Sequence, residues 1–311
     1  ERPMNASVMV RVSAPDARQK IAASVTFFTT KLGSTVCSAS GVIIATDSAA
    51  SGDSWVLSDG GVFLPFLAKR MSKQSSKYPV MRQGFQVEVR TQDGKWWPAS
   101  VYALGPPPGA APGLDAMSRI ISSQSGLQSG FVLAKGMSCR GELGVMALIR
   151  VKGKSLGKYG SGVRWLDPSC LARGMEVSIL SSPYGALSEE IFANSVSSGV
   201  ISSLLTPLSS VSSSEASGNL SLILTDARCF PGSEGGGVFV RNTSKIVGIV
   251  AGTLSHPTLV HSGTLSLVFT LSAVESFIST CLSTTLPRTT RVSPPPSCKR
   301  LSHHHHHHHH H

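Results

Sequence analysis

Thr225-Asp-Ala-Arg-Cys-Phe-Pro-Gly-Ser-Glu-Gly-Gly-Gly-Val-Phe239 decides how the rest of the chain is read. The apolar run Leu220 to Leu224 leads into it, and Lys245-Ile-Val-Gly-Ile-Val-Ala251 follows. Apolar, β-branched runs on either side of a Pro-Gly step and three consecutive glycines predict strand, tight turn, strand. Glu234 sits in the middle of that turn. In the turn Gly232-Ser233-Glu234, the amides of Gly232 and Glu234 are expected to form an anion-binding nest, and a buried Glu234 would itself be the anion that fills it.

Outward from the turn, the chain keeps the same character. Val8 to Val12, Ser24 to Thr29 and Ser38-Ala-Ser-Gly-Val-Ile-Ile-Ala45 read as strands, the last opening on small residues. Ser54 to Leu57 is a further strand that passes into the turn Asp59-Gly60-Gly61. Gln86-Val-Glu-Val-Arg90 alternates strictly, and Asp93-Gly94 predicts a hairpin before Trp96-Trp97 and Ser100 to Leu104. Leu143 to Val151 closes a first apolar half. Met175 to Leu180 and Phe192 to Ser203 begin a second, which Ile246 to Ala251 and Leu265 to Leu271 complete.

Helices are few. Leu114 to Ile121 is a short candidate. Ser272 to Leu282 predicts a terminal helix, with Ser272 as N-cap and Val274, Phe277, Ile278 and Cys281 on one face. Lys69 to Tyr78, Gly105 to Gly113 and the serine-rich stretch Ser209 to Ser217 read as loops. Many short strands in two comparable halves predict an all-β protein built from two barrels or sandwiches. No repeat of the length found in propellers or solenoids is visible.

Composition narrows the function classes. Hydrophobic residues make up 41% of the 311 and charged residues 14%, as expected of a globular chain. No apolar run is long enough for a membrane helix, and no membrane partner is expected. The net charge of +11 is spread thinly, with small clusters at Lys69-Arg70, Lys152 to Lys154 and Lys299-Arg300. With 6% aromatic residues and no basic patch interleaved with them, nucleic acid is not the expected partner; a basic nucleic-acid-binding β-domain is kept only as an alternative. Six scattered cysteines, without a CxxC pair, are read as reduced and mostly buried.

The last nine residues, His303 to His311, read as an expression tag, which leaves His256 and His261 as the remaining imidazoles. Residues 1–255 contain no histidine at all. Metal-ligand spacings are missing outside the tag, and no cofactor is expected. A carboxylate nucleophile at Glu234 would need a second carboxylate or a metal, and Asp226 has no evident reason to face it. Ser233 and Cys229 lack a base to activate them, so a hydrolase with an unconventional Glu/Ser site is an alternative rather than the main reading.

The quoted turn is similar to the Gly-x-Ser-Gly-Gly turn of trypsin-like serine proteases, with Glu234 at the nucleophile's position. The resemblance implies two further triad positions. Gly61, after the strand and turn Leu57-Ser-Asp-Gly-Gly61, stands where the base would be, and Val145, opening Val145-Met-Ala-Leu-Ile-Arg-Val151, where the orienting acid would be. None of the three carries triad chemistry, and the missing upstream histidine rules out a base in that chain order.

Ser182-Pro-Tyr-Gly185 through Ile201, Leu224-Thr-Asp-Ala-Arg-Cys-Phe-Pro-Gly-Ser-Glu-Gly235, Ser40-Gly-Val-Ile43 and Asp59 to Phe66 resemble the N-terminal half of the peroxisomal leader-peptide-processing protease family, known as glyoxysomal processing proteases in plants. The resemblance covers about residues 8 to 282. It implies a chymotrypsin-like double β-barrel with a short C-terminal helix. Its divisions are an arm 1–7, a first barrel 8–154, a second barrel with the helix 155–283, a Pro-rich basic tail 284–302 and the tag 303–311.

It also implies a non-catalytic half that binds substrate, regulates or oligomerises beside a catalytic trypsin-like half acting on peroxisomal matrix protein precursors. The implied location is the peroxisomal matrix, and a homodimer is admitted.

Overall fold

The computed structural model describes residues 3–25, 27–45, 52–70, 75–124, 132–134, 144–153, 156–160, 162–205, 220–255, 264–284, 286–287 and 291–292. Twelve strands form its frame. The first six are β1 (Ser7–Pro15), β2 (Ser34–Ile44), β3 (Ser54–Asp59), β4 (Gln86–Arg90), β5 (Trp96–Gly105) and β6 (Met146–Val151). They pair antiparallel in the order β1-β4-β5-β6-β3-β2, and β1 pairs with β2 to close a barrel.

The second six are β7 (Glu176–Ser181), β8 (Ser195–Leu205), β9 (Leu222–Thr225), β10 (Gly237–Val240), β11 (Lys245–Ser255) and β12 (Leu265–Thr270). Their order is β10-β7-β8-β9-β12-β11, closed by the β10–β11 pair. Both barrels therefore have one topology. The first strand pairs with the second and fourth, the third with the second and sixth, and the fifth with the fourth and sixth. Closure leaves neither barrel with a frame strand at an open edge, which suits the run of short strands read from the sequence.

Burial follows the pleat. Val8, Val10 and Val12 of β1 and Val87 and Val89 of β4 alternate into the first barrel's interior with Val56 and Ile149. Val177, Ile179, Ile223, Val238 and Val268 fill the second. A third cluster lies between the barrels and joins Val42, Trp55 and Leu148 to Trp165, Phe239, Phe269 and Phe277. Fully burying each large side chain of this kind contributes roughly 1.5–3 kcal/mol, so the contact between barrels is itself a core.

β2 is buried along nearly its whole length because its two faces have different neighbours. Cys37, Ala39 and Ile43 point into the first barrel, while Val42 and Ile44 join the central cluster.

Several local expectations are corrected. Ser24 to Thr29 is not one strand: Lys20–Ser24 is a helical turn and the strand is Thr29–Lys31. The Asp16 carboxylate accepts the Ala22 amide at 2.9 Å and holds that turn. Phe192 ends a helical turn, Glu189–Phe192, whose N-cap Ser188 accepts the Ile191 amide, so β8 starts at Ser195. The helix expected at 114–121 runs Ala111–Gln124.

The terminal helix is Leu271–Leu282, with its predicted face buried, but the N-cap is Thr270 rather than Ser272. The Thr270 hydroxyl donates to the Leu220 carbonyl at 2.5 Å instead of capping the helix. Within the tail, Arg291–Val292 pairs in parallel with Trp165 and Leu166, and Arg291 meets Glu275 at 2.6 Å. The expected loop at 209–217, and His256 and His261, lie outside the described residues.

Candidate functional site

The quoted turn folds as expected, between β9 and β10. Gly232 (φ +99°) and Gly235 (φ +85°) adopt a left-handed backbone that β-carbon-bearing residues rarely take. Gly235 is also needed for space. A Cβ there would lie 2.6 Å from the Asp59 amide nitrogen and 2.9 Å from the Ser58 hydroxyl, and closer still to the Ser40 carbonyl. Behind the turn, the Gly235 amide donates to the Val250 carbonyl and the Val250 amide to the Gly236 carbonyl, both at 2.9 Å, fixing it to β11.

Glu234 is 2% exposed. Its Oε2 accepts the Gly232 amide at 3.0 Å. One of the amides expected to build an anion nest is thus directed at a carboxylate the chain supplies itself. Ser233 is 1% exposed and faces inward: its hydroxyl accepts the Phe230 amide at 3.2 Å and the Ser181 hydroxyl at 3.1 Å. These bonds hold Ser233 in the turn.

The positions matched to the other triad members converge on the same place. Gly60 donates to the Val145 carbonyl at 2.7 Å, and a Cβ on Gly60 would collide with the Val145 side chain. Asp59, one residue earlier, borders Gly235. Gly61, Val145 and Glu234 therefore belong to one cluster of turns at the meeting of the barrels. Its first-barrel side holds a buried glycine turn and a 3%-exposed valine. Asp226 faces elsewhere, accepting the Val200 amide at 2.7 Å, so it is no second carboxylate for Glu234.

What the sequence did not disclose is Ser40. It lies on the face of β2 turned toward the second barrel and is fully buried. Its hydroxyl donates to the Gly232 carbonyl at 2.7 Å and accepts the Ser182 amide at 2.8 Å, while its own amide donates to the Glu234 carbonyl at 2.9 Å. The Ser58 hydroxyl in turn donates to the Ser40 carbonyl at 2.6 Å. Two positions along, the Ser38 hydroxyl accepts the Ala186 amide at 2.7 Å. Small residues at alternate positions of β2 were the available signal, but a serine-rich chain offers many such pairs.

Cys229, beside the turn, is not poised for attack. Burial pushes its thiol up to about 12, the Glu234 carboxylate pushes the same way, and only contact with Ser266 opposes them. The described residues contain no histidine, and no group of three or more His, Cys, Asp or Glu among them is arranged to hold a metal ion. No helix among them is long and apolar enough to cross a membrane.

Residues 39–249 match the profile of the trypsin-like peptidase domain. Over 115 residues the chain is 36% identical to the peroxisomal leader peptide-processing protease of Mus musculus, a match covering 36% of this chain and 18% of that protein. Over 83 residues it is 39% identical to the protein of the same name from Homo sapiens, covering 26% and 12% respectively. The chain thus matches less than a fifth of the length of either relative. Among solved structures, an HtrA-type protease with a bound decapeptide aligns at a TM-score of 0.47 and 16% identity, over 88% of this chain and 63% of that one.

Proposed function

Because the chain belongs to the trypsin-like peptidase domain family, we propose that it is a degenerate, non-catalytic member that works beside a catalytic trypsin-like domain. The carrying observation is the 3.0 Å bond from the Gly232 amide to the Glu234 carboxylate. In acyl transfer, an amide at such a turn acts by meeting negative charge that develops only in the transition state. A glutamate side chain in its place removes the nucleophile and engages that donor together. With no histidine before residue 256, no upstream base is present to activate a nucleophile either.

What the fold retains is two closed barrels packed over a shared core. By similarity to its named relatives, the chain serves in the peroxisome as the module that binds leader-bearing precursors and regulates the catalytic half. Co-expression with the catalytic trypsin-like half of the mouse relative tests this reading. The two chains should co-elute in size-exclusion chromatography at micromolar concentration; separate elution of two folded chains overturns it.

A further inference from the structure

The wall of the first barrel has a local gap beside β5. On one edge of that strand Val87 of β4 pairs with Ala99, and further along Lys77 pairs with Ala103. Between these pairs, residues 100–102 have no strand across from them on that edge among the described residues. The Tyr78 amide bridges the gap, donating to the Tyr102 carbonyl at 2.7 Å. The opening is a cavity of about 670 Å³, within the range of roughly 300–1,000 Å³ that holds small organic ligands.

Its walls are mostly apolar. Met81, Phe85, Pro98 and Val101 line it, and the Tyr78 ring, 64% exposed, stands at its rim. Tyr78 meets the Tyr102 ring edge-on with 5.1 Å between centroids, and Tyr102 meets Trp55 in the same way at 4.8 Å. That side of the cavity is therefore braced by the core between the barrels. Burial first, and then a bond with Tyr78, hold the Tyr102 phenol above its ordinary range, so it stays a hydrogen-bond donor.

One cation faces this space. Arg150 of β6, paired with Ser100, lines the cavity with its side chain 30% exposed. Its Nε is buried and has no hydrogen-bond partner among the described residues. The Asp53 carboxylate stands 3.9 Å from that nitrogen, beyond hydrogen-bond range, and its other oxygen accepts the Gly153 amide at 3.1 Å. Glu88, the acid in the lining, meets Arg11 at 3.3 Å.

A half-buried guanidinium with unused donors fits a planar, singly charged acceptor, which it grips through two parallel N–H bonds. A phosphate dianion would need a second cation, and Arg150 is the cation among the lining residues. Five residues of extended chain, about 16 Å at about 3.3 Å per residue, separate Arg150 from Val145. The cavity is thus distinct from the turns gathered around Glu234.

We propose that this cavity binds a small aromatic carboxylate, its carboxyl group on Arg150 and its ring against Tyr78, Phe85 and Pro98. The inference does not depend on the proposed function.

Isothermal titration calorimetry of the purified chain with 3-phenylpropionate and with 3-phenylpropionamide tests it. The acid should bind with a Kd below about 1 mM, the affinity of a fragment-sized ligand. The amide lacks the charge and should bind at least about tenfold more weakly. R150Q should weaken binding of the acid by about the same tenfold factor and leave the amide unchanged. Y78A, which removes an exposed ring at the rim, should weaken both ligands by at least about threefold. No binding of the acid to the folded chain at about 10 mM, or equal binding of acid and amide, overturns the proposal. So does a folded R150Q or Y78A that binds the acid as tightly as the unchanged chain. Should R150Q fail to fold, the comparison of acid with amide and the Y78A variant decide the matter.

Discussion

At the scale of single residues, Ser40 matters as much as Glu234. Glu234 carries the proposed loss of chemistry, while Ser40 ties the turn to the other barrel. One buried hydroxyl serves the Gly232 carbonyl and the Ser182 amide, joining β2 to two loops of the other barrel. Ser40→Ala leaves both groups buried and unpaired, and each such group costs about 1–3 kcal/mol. Urea unfolding of S40A should therefore register a loss of about 2–6 kcal/mol; a change within about 0.5 kcal/mol, the ordinary surface range, would contradict the role given to this hydroxyl.

At the scale of elements, the β4–β5 hairpin is the clearest case of sequence and structure agreeing. Gly94 takes φ +83°, and the Thr91 amide donates to the Lys95 carbonyl at 3.0 Å. The Asp93 carboxylate accepts the Thr91 hydroxyl at 2.6 Å and the Tyr159 hydroxyl at 2.7 Å, tying the hairpin to the helical turn Gly157–Gly160. The Thr91 bond first, and then the Tyr159 bond, lower Asp93 from 3.8 to about 2.

A depressed carboxylate stabilises the fold above its unfolded pKa, and that stability is lost as pH falls through the folded value. The Asp93 contribution should thus be complete above about pH 4 and fade toward pH 2, while solvent screening holds it to about 1 kcal/mol or less. Thermal unfolding of D93N beside the unchanged chain checks this. Their difference should shrink as pH falls from about 5 to 2, and a difference that grows would contradict the assignment.

Elements of this kind were legible because their signals are local: strict alternation in Gln86 to Arg90, an Asp-Gly turn, and an apolar face at Val274, Phe277, Ile278 and Cys281. Ser24 to Thr29 misled because its β-branched residues favour a strand while the Asp16 carboxylate, bonded to the Ala22 amide, closes a helical turn just ahead of it. The helix N-cap shifted for the same reason, since Thr270 answers to Leu220, two residues ahead of β9. Val132–Ala134 could not be read as a strand paired to the second barrel, because nothing local says which barrel an apolar tripeptide will join. Ser40 was hidden similarly, the partners of its hydroxyl lying more than a hundred residues away.

At the scale of the whole molecule, two barrels of one topology meet over a shared core, and the Glu234, Gly61 and Val145 positions fall on their seam. That seam keeps the turn's backbone while the groups on it are a buried carboxylate, a glycine and a valine. The most direct measurement is turnover of a quenched fluorescent casein and of p-nitrophenyl acetate by the purified chain, by E234A and by E234S. None of the three should exceed the rate of the heat-unfolded control, because removing the carboxylate supplies no base and a serine alone has none to activate it. Hydrolysis by the unchanged chain that E234A abolishes would contradict the account.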